Sequence, residues 1–214
     1  MTTRRLNGLD RAIGRFDHVL RTVSGNVGRT TRPSPATGPD DQALSAAERD
    51  RAARLMRVNH CGEVCAQALY EGQALTARSH RTASSLEEAA AEETDHLSWC
   101  ESRIRELDSH VSYLNPFWYA ASFAMGATAG LLGDKVNLGF VAATEENVED
   151  HLDEHLARLP ENDERSRSIL QQMKEDEARH GQQALEMGGA VFPKGIKRAM
   201  RRVSRAMTTS TYWV

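Results

Sequence analysis

Hydrophobic positions recur in steps of three, four or seven along most of the chain, and the recurrence breaks into separate runs that predict helices. Leu6, Leu9, Ile13, Phe16 and Leu20 make a short amphipathic run over residues 5 to 22, expected to be a surface helix packed on the domain. Between Ser24 and Asp41 the pattern disappears into Gly25, Gly28, Pro33, Pro35, Gly38 and Pro39, the composition of a linker or irregular arm. Ser45-Ala46-Ala47-Glu48 has the form of a capping box, and the run it opens, towards residue 79, carries the stripe Ala52, Met56, Glu63, Ala66, Tyr70, Ala74. A second capping box, Ser85 to Glu88, opens the stripe Leu86, Ala89, Glu93, His96, Cys100, Ile104, Leu107. Asn115-Pro116 then reads as an N-cap followed by proline in the first helical turn, and Gly133 and Asp134 end that apolar run. Leu138, Val141, Glu145, Val148, Leu152 and Leu159 form the next stripe, stopped by Pro160. Leu170, Met173, Glu177, His180, Ala184 and Met187 form the last, on a helix from about Asp163 that ends at Gly188-Gly189.

Four of these stripes carry a glutamate among apolar neighbours, and two also carry a histidine three residues later. Glu93-Thr94-Asp95-His96 is echoed at Glu177-Ala178-Arg179-His180, and no other histidine of the eight has a glutamate at that spacing. Residues three apart lie on one helical face, so each tetrapeptide can aim a carboxylate and an imidazole at one point. The preceding stripes supply Glu63 and Glu145, so a two-helix unit is nearly repeated. A single Glu-x-x-His on a charged helix is an ordinary solvated pair. Four inward carboxylates are different, because burying one without compensation costs several kcal/mol. One glutamate from each of two helices and Glu-x-x-His from each of the other two is the ligand set of ferritin-like four-helix bundles that hold two iron or manganese ions. Four carboxylates balance two divalent cations, and two imidazoles add nitrogen donors that iron accepts. The expected metal ligands are therefore Glu63, Glu93, His96, Glu145, Glu177 and His180, with Glu93 and Glu177 as bridges. Glu149, one turn beyond Glu145, is an alternative ligand, and Glu92 and Glu175 are expected to face solvent. Asp95 and Asp176 either support the ligands from behind or lie on the surface.

The remaining composition changes this picture little. A chain of 214 residues with 40% hydrophobic content suffices for one all-α domain, and a formal charge of −3 provides no global attraction to nucleic acid. Three cysteines without a Cys-x-x-Cys pair argue against a disulfide framework or zinc knuckle, and the basic N-terminus has no apolar run of a secretory signal. The domain organisation expected is residues 1-44 as an N-terminal helix and Pro/Gly-rich linker, 45-190 as the di-metal helical domain and 191-214 as a basic amphipathic segment.

Several longer strings carry a family resemblance. Arg57-Val58-Asn59-His60-Cys61-Gly62-Glu63, Leu69-Tyr70-Glu71-Gly72-Gln73, Glu92-Glu93-Thr94-Asp95-His96, Leu114-Asn115-Pro116, Gly130-Leu131-Leu132-Gly133-Asp134, Glu145-Glu146 and Asp176-Glu177-Ala178-Arg179-His180 resemble, in order, the demethoxyubiquinone hydroxylase family of ubiquinone biosynthesis. The likeness extends over roughly residues 45 to 190, with Cys61 in place of a plain apolar residue and Leu152 in place of a tyrosine that some members carry after the histidine matching His151. It implies a monooxygenase with two iron ions that hydroxylates a demethoxylated polyprenyl benzoquinol using dioxygen and two electrons. An iron-handling or peroxide-handling ferritin-like protein would use the same six ligands and is the alternative.

A polyprenyl substrate implies membrane contact. No acidic or basic residue other than His110 stands between Asp108 and Asp134, and residues 117 to 133 are just short of the roughly 20 apolar residues that a span needs. Lys194, Lys197, Arg198, Arg201, Arg202 and Arg205, interleaved with Ile196, Ala199, Met200, Val203 and Met207, make a basic amphipathic segment suited to a membrane surface. The expected location is the cytoplasmic side of the cell membrane, peripherally. The expected partners are the quinol, dioxygen, that surface, and other ubiquinone-biosynthesis proteins or a second copy of the chain, with no nucleic acid.

Overall fold

A computed structural model describes residues 8–26, 30–36 and 44–214, and every regular element among them is a helix. These are α1 (Gly8–Ser24), α2 (Ala46–Thr76), α3 (His80–Glu106), α4 (Asn115–Leu131), α5 (Asp134–Arg158), α6 (Glu164–Glu186) and α7 (Lys194–Trp213). The expected all-α, ferritin-like architecture is what the chain adopts. Helices α2, α3, α5 and α6 form the four-helix body; α4 crosses over and packs along α2, and α7 returns across α2 and α5. The leading part of the expected first helix, and residues 27–29 and 37–43 of the linker, lie outside the described residues.

Helix starts follow local chemistry where nothing overrides it. The Ser45 capping box forms as expected, Ser45 N donating to Glu48 Oε2 at 2.8 Å and Glu48 N to Ser45 Oγ at 3.4 Å. The second box does not start a helix. Helix α3 begins five residues before Ser85, with Ser79 accepting from Thr82 N at 3.1 Å. Asp134, at the head of α5, accepts from Arg78 N and Ser79 N at 2.8 and 2.9 Å, so a distant carboxylate anchors this turn. Asn115 likewise falls inside α4 instead of capping it, and its side-chain amide donates to Val23 O on α1 at 3.3 Å. Asp163 does cap α6 and is held by fully buried Arg103, whose Nη2 donates to it at 2.7 Å and whose Nε donates to Ser166 Oγ at 2.8 Å.

Inside the four-helix body the core has two apolar layers, and a third cluster of Val64, Ala68, Leu97 and Tyr119 packs with Val19 and Val23 of α1. Leu55, Met56, Trp99, Ile104, Leu152, Leu170 and Met173 fill one end of the bundle, and Ala66, Tyr70, Leu86, Leu138, Val141 and Ala184 fill the other. Each fully buried large side chain contributes about 1.5–3 kcal/mol. Glu63, Glu93, Glu145 and Glu177 fall between the layers on their helices, so well-packed walls fix the polar level. Helix α4 approaches α2 closely through glycines: a Cβ on Gly126 would overlap the Leu69 carbonyl, and one on Gly72 the Phe123 carbonyl. No helix among the described residues is long and apolar enough to cross a membrane. Helix α4 packs in the body with Tyr119, Gly126, Ala129 and Gly130 buried, while Phe117 and Leu131 remain exposed.

Candidate metal centre

All six expected ligand residues are buried between the two apolar layers. On α3, His96 Nδ1 lies 2.8 Å from Glu93 Oε2, and the same nitrogen is 3.4 Å from Glu63 Oε2 on α2 and from Glu177 Oε1 on α6. His180 Nδ1 on α6 lies 3.5 Å from Glu93 Oε1 and 3.4 Å from Glu177 Oε2. Glu93 and Glu177 thus each present one oxygen to one imidazole and one to the other. Ligand atoms of Glu63, Glu93, His96 and Glu177 all fall within 4.8 Å of one another. Glu145 completes the cluster from α5: its Oε1 accepts a 2.6 Å hydrogen bond from Tyr70, and it packs over Gly181, where a Cβ would stand 3.3 Å from its own. Glu149 is only partly buried; burial, opposed by the Lys174 charge and aided by those of Asp150, Glu177 and Asp153, raises its carboxyl above the ordinary value.

The electrostatics are those of a site that needs cations. Glu63 Oε2, Glu93 Oε1, Glu145 Oε2, both Glu177 carboxylate oxygens and His180 Nδ1 are buried without a hydrogen-bond partner. Leaving such groups unmet costs about 1–3 kcal/mol each, more for charged ones. Burial followed by repulsion from Glu177 pushes the carboxyls of Glu93 and Glu145 well above their ordinary range. Burial opposes protonation of His96, but the Glu93 charge, the contact with Asp176 and the nearby Glu177 and Glu63 carboxylates outweigh it and raise its pKa well above normal. Two divalent cations would satisfy the orphaned oxygens, neutralise the carboxylates and take up both Nδ1 lone pairs, so this donor set fits a metal pair.

Behind the cluster the two halves brace each other crosswise. His96 Nε2 lies 3.0 Å from Asp176 Oδ2, on α6, and His180 Nε2 lies 3.3 Å from Glu92 Oε2, on α3. The residue preceding each pivotal glutamate therefore holds the imidazole of the opposite helix, and Arg179 Nη2 ties Glu92 to Asp176 at 2.8 Å from each. Such contacts fix the ring and its tautomer. Glu92 keeps about a third of its side chain exposed (34%), and α3 and α6 converge enough to bring its Oε2 under His180 as well. Tyr70 was visible in its stripe, seven residues from Glu63, but its partner Glu145 is 75 positions away and only the packing reveals it.

Among the other residues singled out, Cys61, Cys65 and Cys100 are free thiols. The His151 and His155 rings lie 3.8 Å apart between centroids, tilted by 58°, and His155 Nδ1 lies 2.9 Å from Asn59 Oδ1. Beside that cluster, an apolar cavity of about 270 Å³ opens between α2, α4, α5 and α7. Gly62 and Ala66 line it on either side of Glu63, and Thr144 and Val148 do so around Glu145. A second groove of about 560 Å³, bounded by Leu132, Val136, Phe192 and Ile196, shares Met125 and Phe140 with the first.

Residues 50–211 match the sequence profile of the family described as Ubiquinone biosynthesis protein COQ7. The chain is similar to the 3-demethoxyubiquinol 3-hydroxylase of Chromohalobacter salexigens, 57% identical over 210 residues, covering 98% of this chain and 99% of that protein. It is also similar to proteins of the same name from Nitrosococcus oceani, 54% identical over the whole of both chains, and Stutzerimonas stutzeri, 53% identical over 98% of this chain and 97% of that one.

Proposed function

The chain belongs to the ubiquinone biosynthesis protein COQ7 family, and we propose that it hydroxylates the ring of a 3-demethoxyubiquinol with dioxygen at a pair of iron ions. The ligands are Glu63, Glu93, His96, Glu145, Glu177 and His180, in a body formed by residues 45 to 190. Reduced iron supplies the two-electron chemistry that dioxygen needs to place one oxygen atom on the ring, the other leaving as water. The placement of the two Glu93 and two Glu177 oxygens towards the two imidazoles supports these residues as bridges. Tyr70 orients Glu145, while Asp176 and Glu92 keep Nδ1 of each histidine free to ligate.

The observation that carries the reading is the apolar cavity lined by the helical neighbours of Glu63 and Glu145. Gly62 and Val148 leave room for a benzoquinol ring beside Glu63 and Glu145, and Met125 and Phe140 continue that room into the outer groove, a course suited to a polyprenyl tail. An iron-storing or peroxide-handling protein with the same ligands needs no such cavity. Arg198 and Arg202 lie exposed on α7 near exposed Ile196 and Val203, and Phe117, Leu131 and Leu132 are exposed at the two ends of α4. These features support peripheral attachment to the cytoplasmic side of the cell membrane, where the substrate dissolves.

Incubation of the reduced, iron-loaded chain with a demethoxylated quinol and isotope-labelled dioxygen tests the reaction. One labelled oxygen in the ring is expected. Dioxygen consumption with no label in the ring would overturn the reading in favour of iron or peroxide handling.

A further inference from the structure

The irregular arm before the bundle reaches the back of the candidate metal site. Its residues 30–36 have no helical structure, and they precede the family match, which begins at residue 50. Thr31 donates from its backbone N and its Oγ1 to the two oxygens of Asp95, each at 2.7 Å. Arg32 then spans two helices: Nε donates to Asp95 Oδ2 on α3 at 3.1 Å, and Nη1 donates to Asp176 Oδ2 on α6 at 2.8 Å. Its Nη2 lies 3.4 Å from His96 Nε2, and its guanidinium carbon sits 4.9 Å above the centre of the Trp99 ring. Asp95 is fully buried, and Ala36 packs against the apolar layer that contains Trp99.

Two features make this more than a surface ion pair. The same Asp176 oxygen receives both Arg32 Nη1 and His96 Nε2, so the guanidinium fixes the carboxylate that fixes the imidazole. The contact is also one-sided. Arg179, from within α6, holds Glu92 behind His180 and also Oδ1 of Asp176, whereas the Asp176 oxygen that meets His96, Oδ2, receives its guanidinium from Arg32, outside the bundle. A planar, forked cation is required because lysine is a point charge and cannot address two carboxylates and an aromatic face together.

We infer that Arg32 is a positioning residue for the metal centre, acting through Asp176 on His96, and that docking of the N-terminal arm sets the affinity of the His96-bound ion. This rests on the two-iron reading above. It predicts unequal effects on the two ions: the one ligated by His96 weakens, while the one ligated by His180 does not.

Anaerobic titration of the full-length metal-free protein with ferrous iron tests this, with circular dichroism melting of the same samples. Wild type is expected to take up two ions. Arg32→Gln should keep one at wild-type affinity and bind the other roughly 10–100-fold more weakly, the range typical for loss of a contact behind a ligand. Arg32→Lys should restore only part of the loss. Asp95→Asn, which disturbs the arm without touching Asp176, should reproduce the one-ion weakening and add nothing when combined with Arg32→Gln. Two ions bound by both Arg32→Gln and Asp95→Asn at wild-type affinity would overturn the inference and leave the two-iron reading standing. Equal weakening of both ions with a lowered melting temperature would overturn it in favour of a merely structural arm. Failure of wild type to bind two ions would remove the two-iron reading and this inference with it.

Discussion

Tyr70 on α2 donates a 2.6 Å hydrogen bond to Glu145 on α5 at the level where the four carboxylates meet. The phenol is fully buried, and burial followed by the Glu145 charge raises its pKa well above normal, so it remains a donor. Tyr70→Phe removes only the hydroxyl. The expected result is a folded protein less stable by about 1 kcal/mol, with ferrous affinity lowered about 10-fold or more as Glu145 loses its orientation. Ferrous titration and urea unfolding measure the two effects separately.

Removing a carboxylate proposed as a bridge should affect activity and metal-free stability in opposite directions. Glu93→Ala or Glu177→Ala is expected to abolish ring hydroxylation while the far-ultraviolet dichroism stays helical. Glu93→Gln, nearly isosteric, should make the metal-free protein more stable by about 1–3 kcal/mol, because it removes a buried carboxylate that lacks a partner at Oε1. Wild-type turnover in Glu93→Ala would exclude the residue from the site.

His60 offers a pH test away from the carboxylates. It is fully buried, neither ring nitrogen has a hydrogen-bond partner, and burial reinforced by the Arg105 charge pushes its pKa down to about 4. Above about pH 6.5 the ring is neutral in both folded and unfolded chains; below it, the unfolded chain takes up a proton that the fold refuses. The His60 contribution to stability is therefore intact above about pH 6.5 and lost as pH falls towards 4. His60→Leu, compared with wild type in the metal-free protein, should gain on the order of 3 kcal/mol over that window. The comparison cancels the opposing titrations of Glu93, Glu145 and His96. A stability difference independent of pH between 7 and 4 would contradict it.

Three glycines of α2 and α4 should respond in two different ways. Gly126→Ala on α4 forces a methyl group against the Leu69 carbonyl, and Gly72→Ala forces one against Phe123; each is expected to cost about 1–3 kcal/mol as α4 is pushed away. Gly62→Ala meets nothing within 4 Å and should stabilise the helix by about 1 kcal/mol, but its methyl group projects towards the cavity beside Glu63. A rise in KM with iron binding unchanged would be the signature of a narrowed cavity.

The ligand stripes were legible in the sequence because packing obeys helical period: every glutamate and histidine on a predicted apolar face is buried in the structure. The limits of α3 were not, since Asp134 from another helix overrides the local signal at Ser85 by capping the turn at Ser79. The contacts behind the metal cluster were hidden for the same reason. Arg32 and Asp176 are 144 positions apart, and no periodicity connects a proline-flanked arm to the last helix of the bundle. The apolar segment from 117 to 133 left burial and membrane insertion equally open, and the glycine contacts along α2 show how α4 packs within the body.

The crossed bracing of the two histidines has a consequence for assembly. The α2–α3 hairpin brings Glu63, Glu93 and His96 but not the carboxylate that orients His96; the α5–α6 hairpin brings Glu145, Glu177 and His180 but not the one that orients His180. Neither hairpin is a self-sufficient half-site. If the proposed metal pair binds here, mating of the hairpins and maturation of the centre would be one event, with metal the cohesive agent between two otherwise mutually repelling acidic surfaces. Iron starvation should then register first as looser hairpin mating, seen as faster amide hydrogen exchange across the α3–α6 seam, before any helix unwinds.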